Sequence, residues 1–137
     1  MRVIAGSAGT FYGQPMTEGG LYTVAGDGNS GTAGDGGPAT AAELYYPTGV
    51  AVDGHGNLLI ADDATGRVRV VAARTGTFYG VAMVAGDIYR VAGGGSSGLG
   101  NGGPAVDAEL PAPDWVTVDG AGNLLVDASG RVRIVGG

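Results

Sequence analysis

An all-β fold is what the sequence predicts: propeller-type blades of four short antiparallel strands, two repeats per chain, with a short helical turn in the inter-blade loop. Three observations carry this. The chain repeats itself once, with five blocks in the same order in both copies. GTFYG at 9–13 returns at 76–80, LYTVAG at 21–26 as IYRVAG at 88–93, and DGGPATAAEL at 35–44 as NGGPAVDAEL at 101–110. VAVDGHGNLLI at 50–60 returns as VTVDGAGNLLV at 116–126, and RVRVVA at 67–72 as RVRIVG at 131–136. Within a unit, apolar residues alternate with period two, the signature of half-buried strands. Finally, 30 of the 137 residues are glycine, without collagen periodicity, and 44 % are hydrophobic, enough for a core joined by tight turns.

The elements follow in order. Arg2–Ala5 matches Arg69–Ala72 and Arg133–Gly136, so the chain opens in the third strand of a blade; the segment at 21–26 supplies a fourth. Residues 26–44 form a glycine-rich loop, and Pro38 followed by alanines, glutamate and leucine predicts a helical turn with proline near its start. Val50 and Val52, then Leu58 and Ile60, alternate around Asp53-Gly54-His55-Gly56-Asn57, a hairpin signal. A break at Asp62–Gly66 precedes Arg67–Val71, with valines on one face and arginines on the other, and Ile88–Val91 is the fourth strand. The second copy has lost two residues before Arg131, which predicts strands near 123–127 and 131–135 joined by a tightened turn at Asp127–Gly130. The whole, 1–137, reads as one segment: repeat one about 2–68, repeat two about 69–132, and an overlap at 133–137. Four strands plus a long connection, in tandem, is the pattern of a propeller blade. The strand count is thus a third-and-fourth pair, a complete four, and a first-second-third set.

Composition excludes several functions. Seven arginines, no lysine and thirteen carboxylates give a net charge of −6, a poor surface for nucleic acid. No apolar run approaches the roughly 18 residues of a membrane span. The opening MRVIAGSAGTFYG lacks the apolar stretch of a signal peptide. With no cysteine, disulfides, thiolate metal sites and thiol nucleophiles are excluded, and the compartment stays open.

Residues 46–71 resemble an NHL repeat. Pro47, Gly49, Val50, Ala51, Val52, Asp53, Gly56, Asn57, Ala61, Asp62, Arg67 and Val68 occupy matching positions, and the long loop resembles the variety common in bacterial repeat proteins. Ala64-Thr65-Gly66 departs from the Gly-Asn-Asn usual in the family, and Pro113-Asp114-Trp115 replaces Pro-x-Gly in the second copy. The resemblance implies a radial scaffold that binds other molecules, usually with about six blades.

No catalytic, cofactor or metal set emerges from the candidate residues. His55, the single histidine, sits in the hairpin turn where the second copy has Ala121; one turn histidine supplies neither a metal constellation nor a triad. The loop Asp27–Asp35 has a calcium-loop look without EF-hand spacing, and reads as a flexible surface loop. Without lysine there is no P-loop. Asp62 and Arg67 read as a structural pair bridging a strand corner, and Arg67, Arg69, Arg131 and Arg133 as lining a solvated face. Tyr45, Tyr46 and Trp115, at the innermost strands, are the candidate contact residues: inter-blade packing first, ligand platform second. The expectation is therefore a non-enzymatic scaffold for a protein or glycan ligand. A hydrolase or lyase at the propeller opening, or a carbohydrate binder using Trp115 and the tyrosines, are the rivals. Because two blades cannot cover their own faces, the chain is expected to self-associate, three copies favoured over four, or to adjoin further blades.

Overall fold

The computed structural model describes residues 1–137, and its strands run in chain order. They are β1 (Arg2–Ile4), β2 (Gly9–Phe11), β3 (Gln14–Met16), β4 (Leu21–Thr23), β5 (Gly37–Pro38), β6 (Pro47–Val52) and β7 (Leu58–Asp62). β8 (Arg67–Val71), β9 (Gly76–Phe78), β10 (Val81–Met83), β11 (Asp87–Gly93), β12 (Pro113–Val118), β13 (Leu124–Ala128) and β14 (Arg131–Val135) complete the set. The only helical pieces are single 3₁₀ turns at Ala39–Ala41, Asp63–Thr65 and Ala105–Asp107. The helical turn expected after Pro38 is thus present.

β6, β7, β8 and β11 form the expected four-stranded antiparallel blade, and the two-residue β5 adds a fifth strand beside β11. β12, β13 and β14 repeat the first three strands. Even the irregularities recur: bulges fall between Pro47 and Gly49 and between Pro113 and Trp115, and Tyr46 and Ala112 just before them both have positive φ. β1 and β4 pair as the third and fourth strands of a preceding blade. Each GTFYG motif makes a small hairpin, β2–β3 and β9–β10, turned on Tyr12-Gly13 and Tyr79-Gly80, all at positive φ. No sheet closes on itself.

Local chemistry fixes these turns. In the β6–β7 hairpin, Asp53 Oδ1 accepts the N–H of His55 at 2.8 Å and of Asn57 at 2.9 Å, while Asn57 Nδ2 donates to Asp53 Oδ2. Asn57 Oδ1 then accepts the N–H of Ala73, tying the hairpin to the end of β8. Asp119 and Asn123 rebuild the same turn between β12 and β13. The deletion acts as expected: Asp63–Thr65 and left-handed Gly66 join β7 to β8, whereas Ser129-Gly130 alone joins β13 to β14.

Two cores flank the central blade. On one side Leu59, Ala61, Val68 and Val70 meet Val116, Leu124 and Val126 of the next sheet. On the other, Leu58, Ile60, Val71 and Ile88 meet Ala5, Met16, Val24, Ala25, Ala42 and Leu44. Close approach of β6 to β12 requires glycine at position 49, where a Cβ would lie 2.9 Å from Trp115 Cα. Coverage is uneven: β1 and β4 shield the outer strands of the central blade, but Val50 and Val52 on innermost β6 remain exposed.

Candidate functional site

The arginine face expected to be solvated is so only in part: Arg131 is exposed, and Arg67 and Arg133 are half-buried. Arg69 is wholly buried, because the long loop folds over it. Its Nε donates to Asp35 Oδ1 at 2.8 Å, its Nη1 to the Glu43 carbonyl and its Nη2 to the Ala33 carbonyl. A planar guanidinium with five donors suits this role, holding several loop acceptors at once. The loop read as flexible is therefore pinned to the sheet, and no cluster of three acidic or histidine side chains forms in it. Arg133 repeats the device, donating to the carbonyls of Glu109 and Leu99 and to Asn101, which stands where Asp35 does in the first copy.

Asp62 also departs from expectation. It lies opposite Arg67 in the strand register, yet its ionic partner is Arg69, at 3.6 Å, and its Oδ1 accepts the N–H of Tyr45. Arg67 instead donates to the Thr32 carbonyl. Burial raises the pKa of Asp62, and the bonds from Tyr45 and Thr65 and the Arg69 charge only partly offset it. The pair is a structural corner, as the sequence suggested, with a different arginine.

At the opposite end, His55 is exposed in its turn as expected. Its Nδ1 lies 3.1 Å from Arg74 Nη2, and its ring leans on Phe78. Beside it, a cleft of about 350 Å³ separates the Asp53 and Asp119 hairpins. Tyr79 donates its hydroxyl to Asp53 Oδ2 at 2.9 Å. Burial pushes the Asp53 pKa up, but the bonds from Asn57, Tyr79 and His55 outweigh it and hold the carboxyl below its ordinary value. Burial and the Asp53 carboxylate together push the Tyr79 hydroxyl well up. Every lone-pair direction of Asp53 is engaged, which suits a turn clamp.

The three candidate contact residues do not form one platform. Tyr45 and Tyr46 stack with centroids 5.3 Å apart and are exposed where the chain enters β6. Trp115 is 57 % exposed on β12. It alternates with buried Val116, so it stands on the side of the sheet facing away from the central blade. That outward side also carries Val132 at 69 % and Ile134 at 68 % exposure. At the other end Ile4 and Leu21 are similarly bare. Sequence reasoning expected uncovered faces without naming these residues, and missed the buried Arg69; an arginine recurring amid valines at the same place in both copies was the available signal for the latter.

No helix is long and apolar enough to cross a membrane. Comparison with curated proteins finds no match. The model of the family described as NHL repeat matches residues 44–71, which run from the end of the long loop through β6, β7 and β8. The central blade of this all-β chain is thus built on an NHL repeat, and the chain is one that carries it.

Proposed function

We propose that the chain is a non-enzymatic NHL-type propeller scaffold that binds a protein or glycan partner at its Tyr45–Tyr46 end and adjoins further blades through its open sheet faces. The observation that carries this is the distribution of bare apolar side chains. On the outward sheet faces, Val132, Ile134, Ile4 and Leu21 correspond to Val68, Val70, Val71 and Ile88, which form the inter-blade cores of the central blade. Contiguous exposed apolar surface of this kind marks association sites. A binder is favoured over a hydrolase or lyase by the occupations of the polar groups. Asp53, Asp62 and Arg69 hold turns and loops, and His55 stands in an exposed turn beside Arg74. The stacked tyrosines offer rigid amphipathic area, which favours recognition at that end.

Screening wild type and the Tyr45→Ala/Tyr46→Ala variant against displayed peptides and glycan arrays tests the reading. Ligands whose affinity drops about tenfold or more in the variant support it. Turnover of ester or peptide substrates together with stoichiometric zinc or calcium would replace it with the enzymatic alternative.

A further inference from the structure

We infer that a second copy of this chain completes the C-terminal sheet, with β4 of one copy pairing along the outer edge of β14 of another. This rests on reading the open faces as blade-to-blade surfaces. In the central blade the third strand pairs with the fourth as Arg69 with Arg90, Val70 with Tyr89 and Val71 with Ile88. Within the chain β1 makes the same pairing with β4: Arg2 with Thr23, Val3 with Tyr22, Ile4 with Leu21. β14 carries the same residue types in the same order, Arg133-Ile134-Val135 against Arg2-Val3-Ile4. β14 pairs on one edge only, with β13. A groove of about 590 Å³ lies along it, lined in part by Leu99, Ala105 and Leu110. β1 is thus an internal stand-in for an incoming β14.

The competition has a direction. β14 keeps its five residue pairs with β13 when it takes up a new outer neighbour, whereas β1 is held only on its β4 side, by three pairs and the flanking backbone bonds of Met1 and Ala5. The shorter strand yields, and the joined register places Thr23 opposite Arg133, Tyr22 opposite Ile134 and Leu21 opposite Val135. The apolar faces then match as well. Trp115, Leu125 and Ile134 correspond to Gly49, Leu59 and Val70, the side of the central blade that receives Val116, Leu124 and Val126. In the joined state that outward side of one copy lies over Val50 and Val52 of the next, the part of the central blade its own β1 and β4 leave bare. Leu21, bare in the single chain, turns toward the central blade of the first copy. The contact is head-to-tail, a class that closes into rings; three copies close one of about six blades and four one of about eight.

Sedimentation equilibrium on wild type, Ile134→Asp, Leu21→Asp and an equimolar mixture of the two variants tests this. Both substituted side chains are exposed, and circular dichroism with thermal unfolding checks that each variant folds. The mass of wild type is expected to rise with concentration toward three protomers, and each variant alone to stay a monomer. The mixture should give two-chain species, since one sound junction survives between a Leu21→Asp chain donating β14 and an Ile134→Asp chain donating β4. A wild type that stays monomeric throughout the micromolar range, leaving the faces to further repeats, overturns the inference, as does a mixture that remains monomeric. Either failure leaves the ligand-binding reading at Tyr45–Tyr46 to its own test.

Discussion

Arg69 shows how one side chain converts a glycine-rich loop into structure. Its guanidinium is shielded completely and shared between Asp35, Asp62 and two loop carbonyls. Replacing it with leucine leaves Asp62 buried without a counter-charge, and such losses cost about 3–5 kcal/mol. Arg69→Leu is therefore expected to lower the urea midpoint strongly, and Asp62→Asn in the same background to recover part of the loss. Asp53 contributes to acid behaviour. A carboxyl held below its ordinary value near 3.8 adds stability that is complete at neutral pH and is lost as pH falls below about 4 and through the depressed value. Asp62, raised by burial, runs the other way. The difference in unfolding free energy between wild type and Asp53→Asn should accordingly shrink as pH is lowered from 6 toward 3; a constant difference contradicts the assignment.

The strands read from the sequence because their turn residues admit few alternatives. Asp-Gly-x-Gly-Asn specifies both hairpin turns down to the side-chain bonds, and the missing pair of residues before Arg131 shortened the turn where expected. The candidate site read less well. Alternation distinguishes two faces of a strand but does not say which neighbour covers each. Arg69 lies on the side of β8 opposite Val68 and Val70, yet a loop thirty-odd residues earlier in sequence buries it. Trp115 was placed with the tyrosines by its position before an innermost strand, whereas the alternation with Val116 turns it outward. Glycine at position 49 sets the spacing of β6 and β12, since a methyl group there meets the backbone of Asp114 and Trp115. Gly49→Ala is expected to cost about 1–3 kcal/mol by overpacking, measurable by thermal unfolding, with little change in strand content.

At the scale of the molecule, β14 pairs on one edge only and Ile4, Leu21, Val50, Val52, Val132 and Ile134 are exposed, whereas natural sheets cover such edges. The chain carries a net charge of −6, so copies approaching one another repel. Raising ionic strength from about 10 mM to 0.5 M shortens the Debye length from roughly 30 Å to a few ångströms. It is expected to tighten self-association, read as a lower concentration for the mass transition. Charge-driven contacts would loosen instead.

In the proposed assembly the open faces are blade-to-blade surfaces, and the pairing of β4 with β14 is the contact that would express this. Since the chain has no cysteine, Leu21→Cys and Val135→Cys can be made in separate chains, mixed and oxidised. Mass spectrometry of the products is the direct measurement. A disulfide joining position 21 of one chain to position 135 of another, in excess over like-with-like species, is the predicted result. Only like-with-like disulfides, or none, at concentrations where wild type has associated would contradict it.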